Sequence, residues 1–278
     1  MKTQIGMVYT GRQRKKKKYI ILIVILIASF VFIYPILYAE LINDAVRSND
    51  FSRAKFLLSL PGDINYHYLI GDSYGNTPLE VACMNNNYEM MSLLLQNGAQ
   101  PSYANRLTQP LEFVFDGDVE GLFERTKLLV ESGAELSIKK NPDALIIYEL
   151  MTRPDYLHRP TLETANAEVL KTLKYVVERG ASVEPKRAGL RYLKYVVKNE
   201  NYDVLAYLFD ECDMDVNELD VPLSKTPLMI ATELGNLKMV NFLLGYGADK
   251  SLKDTGGKTA HDYAIENGHP ELAEVLKP

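Results

Sequence analysis

The side chains that could hold a metal or run catalysis in this chain are few, and they are not arranged for chemistry. The four histidines stand at 67, 158, 261 and 269. None pairs with another ligand at the short spacing of a metal site. His269 follows the helix-breaking Gly268. Gly256-Gly257-Lys258 has the composition of a phosphate loop without its spacing, and Gly71-Asp72-Ser73 follows no nucleophile pattern. Asp116, Asp118 and Glu120 read as a solvated loop. Asp210, Glu211, Asp213, Asp215, Glu218 and Asp220 form an acidic cluster, read as an exposed edge. The alternative for that cluster is an electrostatic patch for a basic partner. No catalytic residue, cofactor, metal or small-molecule substrate is expected, so the chain is read as a non-enzyme.

The elements that carry these residues repeat. Thr226-Pro227-Leu228 and Thr259-Ala260-His261 lie 33 residues apart (259 minus 226). Between them, Thr226 is placed to cap a helix and Pro227 to open it, where a missing N–H costs nothing. Leu228, Ala231 and Leu234 fall at helical spacing toward a core. Gly235-Asn236 breaks this helix, and Leu237 to Leu244 forms a second one with Met239, Val240, Leu243 and Leu244 inward. Gly247 ends it in the left-handed conformation, and Asp254-Thr255-Gly256-Gly257 makes a turn-rich finger tip. Lys250 reads as a solvated loop charge.

Copies stand upstream. Asn76-Thr77-Pro78-Leu79 leads to Gly98-Ala99, and Gln109-Pro110-Leu111 leads to Gly133-Ala134. Leu173 to Val177 precedes Gly180-Ala181, and Leu205 to Phe209 precedes Cys212-Asp213, where Gly-Ala would stand. The first unit is Leu41 to Leu60. The wide step from Gly133 to Gly180 implies an insertion near Arg153 to Pro160. About seven units result.

This pattern resembles the ankyrin repeat, with its Thr-Pro-Leu-His-x-Ala core. The resemblance implies an all-α solenoid of helix-turn-helix units over residues 40–278. It also implies a stacked surface that binds a protein partner and makes or breaks no bonds. The histidine after Thr-Pro-Leu is Glu80 in one unit and Met229 in another, so those junctions must be held differently, while His261 reads as the turn-bridging histidine. Cys83 and Cys212 stand about four repeats apart, roughly 40 Å at about 10 Å per packed helix. A disulfide needs Cα atoms within about 7 Å, so no bridge is expected.

Before the repeats, residues 19–39 carry no charge. As a helix these 21 residues (39 minus 19, plus one) reach about 31 Å, enough to cross a bilayer core of about 30 Å. Tyr19, Tyr34 and Tyr38 lie near its ends, as interfacial aromatics do. Residues 1–18 hold seven positive and no negative charges; the whole chain is at −5, so residues 19–278 carry −12. The basic run reads as topology rather than nucleic-acid binding. The expectation is a cytoplasmic head over 1–18, a signal anchor over 19–39 and an extracytoplasmic (periplasmic or extracellular) repeat domain over 40–278. Such a single-pass protein, membrane-attached through residues 19–39, would hold a protein-binding scaffold at the membrane, in a protective or immunity-type role in a bacterium. The alternative is a soluble exported protein released by cleavage after Ala39.

The binding surface is expected on the fingers and the first-helix face, at Asp72, Tyr74, Tyr103, Arg106 and Asp254. Loops on one side of a solenoid are free to vary while inward positions serve packing. The chain has 18 tyrosines, and Tyr66, Tyr68, Tyr74 and Tyr103 fall on the first two fingers, where an amphipathic ring suits an interface.

Overall fold

The computed structural model describes all residues except 1–17, 25–28, 67–68, 71–72, 104–108, 116–118, 137–146, 148–149, 152–161, 184–191, 221–222 and 278. The insertion expected at 153–160 lies outside the described residues, as do Asp72 and Arg106.

Helix pairs recur along the chain. The first is Tyr34–Arg47 with Phe51–Leu58, and the second is Pro78–Met84 with Tyr88–Gln96. These two form one compact unit with the segment before them, residues 1–100. The second unit, 101–278, holds the rest. There Pro110–Phe115 pairs with Leu122–Glu131, Leu193–Lys198 with Tyr202–Asp210, Pro227–Glu233 with Leu237–Gly245, and Ala260–Glu266 with Pro270–Val275. Between the first and second of these pairs, helical residues Ile147, Leu150 and Met151 precede Leu162–Glu178. Six pairs are thus described in full, and these residues mark a further one before Leu162–Glu178. Repeat 1 departs from a purely helical reading at its finger, where Leu69–Ile70 and Ser73–Tyr74 pair antiparallel with Leu69 opposite Tyr74.

Three of the first helices, those after Thr77, Thr226 and Thr259, open on the same reciprocal bond. Thr77 Oγ1 accepts from the Glu80 N–H, and the Glu80 carboxylate accepts from the Thr77 N–H at 2.7 Å. Thr259 and Asp262 repeat this at 3.3 and 2.8 Å. Thr226 and Met229 do so with a thioether sulfur as the second acceptor. Two backbone donors that a helix start leaves unpaired are satisfied in this way. The geometry corrects the reading of His261. The residue three places after the cap is Asp262, so His261 stands one position before the place of the motif's histidine.

The second helices start with a different device, which the sequence reading missed. Asp50, Asn87, Asn201 and Asn236 each accept from the N–H three residues on, at 2.9–3.1 Å. The residue before each cap is left-handed: Asn49, Asn86, Glu200 and Gly235. At the other end, Gly98, Gly133, Gly180 and Gly247 are left-handed, with φ between 86° and 100°. The following alanine donates to a carbonyl five residues back: Ala99 to Leu94, Ala134 to Leu129, Ala181 to Val176 and Ala248 to Leu243. This is the glycine-terminated helix end. In the fifth repeat Asp213 takes the left-handed place, and Met214 bonds six back to Leu208.

The core follows the repeat. Leu228, Ala231, Met239, Val240 and Leu243 are fully buried. Two inward assignments need correction: Leu234 is 51% exposed, and Leu244 is only half-buried. Cys83 is buried in the second repeat. Burial pushes the Cys212 thiol above its ordinary range, which disfavours the reactive thiolate.

Among the described residues, no helix is long and apolar enough to cross a membrane. Within the segment expected to do so, residues 18–24 are helical and residues 29–33 form a π-helix. Residues 25–28 fall outside the description. The first repeat's opening helix begins at Tyr34, inside the 19–39 segment, and buries Tyr38 and Ala39.

Candidate functional site

Among the described residues, hydrogen bonds fix several of the loops between repeats. Asp63 accepts from the Asn65 N–H, and Asp215 from the Asn217 N–H, both at 2.8 Å. Such turns let a short carboxylate stand in for a backbone acceptor. Each turn presents an asparagine to the following repeat. Asn65 donates to the Gly98 carbonyl at 3.0 Å and accepts from the Gln100 N–H at 2.7 Å. Asn217 accepts from the Asp249 N–H at 2.8 Å. Ser102 accepts from the Glu135 N–H at 2.8 Å, and the Thr255 N–H and Oγ1 donate to the Leu223 carbonyl at 3.0 and 3.1 Å. These bonds tie neighbouring repeats within each unit at 32 to 35 residues' separation. A loop face so fixed loses little conformational entropy on binding.

Asp254 lies at the base of one such finger. Its carboxylate accepts from the Gly256 N–H at 2.8 Å, the Lys258 N–H at 2.9 Å and the Tyr263 hydroxyl at 2.7 Å. The Tyr263 hydroxyl, then the backbone donors, hold its carboxyl below the usual carboxylate range. Burial raises Tyr263 in turn. Asp254 therefore shapes its finger as well as standing on the expected binding surface. Beside it, Lys225 pairs with Glu233 at 2.9 Å and Lys258 with Glu266 at 2.7 Å. The two lysines and the two glutamates are each 33 residues apart (258 minus 225; 266 minus 233). This face is thus charged but internally balanced.

The other expected residues are scattered. Tyr74 is in the paired strand of the first finger, in the first unit. Tyr103, in the second unit, has both backbone groups clasped by the Gln109 side chain at 2.8 and 2.9 Å. The acidic cluster has internal work. Asp210 accepts from the Tyr246 hydroxyl at 2.9 Å, Asp215 makes the loop turn, and Asp220 pairs with Lys194 at 2.9 Å. That structural use weakens the electrostatic-patch alternative.

A second feature escaped the sequence reading. On the second helices of the fifth and sixth repeats, rings of Tyr202, Phe242, Tyr246 and Phe209 follow one another at 5.4, 4.9 and 5.1 Å. Lys238 lies 4.3 Å over Tyr202. The signal was the i, i+4 pair Phe242–Tyr246, an aromatic spacing that stabilises a helix surface. Among the described residues, no group of three or more His, Cys, Asp or Glu could hold a metal ion.

Paired helices, reciprocal caps and a hydrogen-bonded loop face define a repeat scaffold that works through its surface. The family model described as "Ankyrin repeats (3 copies)" matches residues 40–105 and 193–278, more than half of the chain. The chain belongs to the ankyrin-repeat family. It is 47% identical to mouse ARF GTPase-activating protein GIT2 over 51 residues, 18% of this chain and 7% of that protein. It is 24% identical to the Neurospora crassa ankyrin repeat protein nuc-2 over 208 residues, 74% of this chain and 18% of that one. The chain thus spans a small part of these relatives. The ankyrin repeat domain of human ASB11 superimposes with a TM-score of 0.63 at 18% identity, covering 85% of this chain and 97% of that one. The Bcl-3 ankyrin domain gives 0.57 at 20% identity, covering 86% and 98%. These two show the fold. The central residues 106–192, outside the family match, contain the widened step between Gly133 and Gly180.

Proposed function

We propose that this protein is a membrane-held scaffold whose ankyrin surface captures a protein partner outside the cytoplasm. The family supports the protein-binding part, since ankyrin repeats act as binding surfaces rather than as catalysts. One observation carries the membrane part. Tyr19, Ile20, Ile21, Leu22, Ile23 and Val24, then Phe30, Val31 and Ile33, all expose more than half of their surface. So long a run of exposed apolar side chains is what a water-soluble monomer avoids. Burying them in lipid would be favourable at about 25 cal/mol per Å². The seven positive charges of residues 1–18 favour the cytoplasmic side for the head.

The cleaved, exported form is the weaker reading. A cut after Ala39 would sever the helix Tyr34–Arg47 and remove Tyr38 and Ala39 from the first repeat's core. The protective, immunity-type role in a bacterium gains no support from the animal and fungal relatives and forms no part of this proposal. Alkaline extraction of membranes tests the reading. The intact chain should stay in the pellet with residues 1–39 attached. A soluble product beginning at Glu40 would favour export instead.

A further inference from the structure

We infer that the base of the first repeat is itself a lipid-contacting surface, seated in the interfacial layer of a phospholipid bilayer. The inference rests on the membrane reading above and extends it from the anchor to the folded domain. The two helices of this repeat run antiparallel, so the end of the second returns to the start of the first. The Tyr34 hydroxyl donates to the Pro61 carbonyl, and Tyr38 is packed so closely on Gly62 that an added Cβ would lie 2.5 Å from its ring. These contacts put residues 60–62 level with residues 34–38. Phe30, in the π-helix, stacks on Tyr34, and Tyr38 tilts against Tyr34 one turn on, with ring centroids 5.2 and 5.9 Å apart.

At that level the repeat exposes apolar side chains. Leu60 is 38% exposed, and Phe56, four residues earlier, is 64% exposed. Ile36 and Leu37, on the first helix, are 40% and 53% exposed. Phe56 stands on the second helix, and Leu60 lies just beyond its last residue, Leu58. Ile36 and Leu37 follow directly on the exposed Phe30, Val31 and Ile33, so this apolar collar runs from the segment before the repeat into the repeat itself, with the exposed Ser59 and Asp63 at its margin. Tyrosine suits the headgroup level. Lys55, exposed beside Phe56, suits anionic headgroups. Continuity with the anchor selects lipid as the occupant over a second copy or a soluble protein. No linker then separates membrane from scaffold, and the first repeat stands at a fixed height.

The chain contains no tryptophan, so one introduced tryptophan reports alone. The full chain is reconstituted in nanodiscs of phosphatidylcholine and phosphatidylglycerol, with lipids brominated near the headgroup as quenchers. Phe56→Trp and Leu60→Trp should show blue-shifted emission and lose much of it to the brominated lipids. Ile33→Trp should be quenched as the anchor control. Tyr88→Trp should stay unquenched, because Asn87 bonds to Asn49 at the far end of the helix pair. Unquenched, water-like emission at 56 and 60 with Ile33→Trp quenched would overturn the collar and leave the anchor standing. Blue-shifted but unquenched emission at 56 and 60 would mean protein covers them, and also overturns it. Loss of quenching at all three would remove the membrane reading together with this one.

Discussion

Glu200 and Gly235 occupy the same left-handed place before a second-helix cap, with φ of 52° and 69°. An L-residue there costs roughly 1–2 kcal/mol that glycine does not. Glu200→Gly should therefore raise stability by a few tenths to about 1 kcal/mol, net of glycine's larger unfolded-state entropy. Gly235→Ala should lower it by about 1 kcal/mol or more, because the new Cβ would also meet the His269 ring at 2.6 Å. Urea unfolding checks both signs. Titration gives a second prediction. Asp254 and Asp262 are held below the usual carboxylate range, by the Tyr263 hydroxyl and the Thr259 N–H respectively. A carboxyl depressed in the folded state adds stability that is complete above its unfolded value, about pH 4, and is lost as pH falls through the folded value. Asp254→Asn should flatten the acid limb of a plot of melting temperature against pH. An unchanged limb would mean the finger does not depend on that charge.

Within single elements, the sequence set the repeat but not every face of its helices. Leu243 and Leu244 are adjacent, equally apolar and 100° apart on the helix, so composition alone reads both as inward. The structure buries Leu243 fully and Leu244 half. Leu243→Ala should cost about 2–5 kcal/mol, and Leu244→Ala clearly less. Equal losses of melting temperature would contradict the register. Lys250 shows the same gap. It reads as a loop charge, yet its ammonium donates to the Val275 carbonyl at 2.9 Å and so holds the last helix. Thr226, Pro227 and Gly247 were legible because each needs one backbone conformation that few residues supply. The asparagine caps were not, because asparagine also fits ordinary loops and only the preceding left-handed residue distinguishes them. Asp254 was legible as a finger residue, but its role inside the finger depends on Tyr263, nine residues away.

For the whole molecule, the family match, the helix pairs and the neighbours of known structure agree on an ankyrin-repeat protein. In the function proposed here, the exposed apolar segment before that fold would join it to a membrane, and the two overlap: the first repeat starts at Tyr34, within the span expected from 19 to 39. Hydropathy and charge suggest a span but carry no sign of this overlap, because Tyr38 and Ala39 look apolar whether they face lipid or a repeat core. The central claim is a scaffold fixed in the membrane with its repeats on the far side from the basic head. Protease added to intact spheroplasts tests it most directly, with the repeats followed by an antibody to the C-terminus. The account predicts that the repeats are digested from outside while a fragment carrying residues 1–33 stays in the membrane. Full protection of the repeats until the membrane is opened would contradict it.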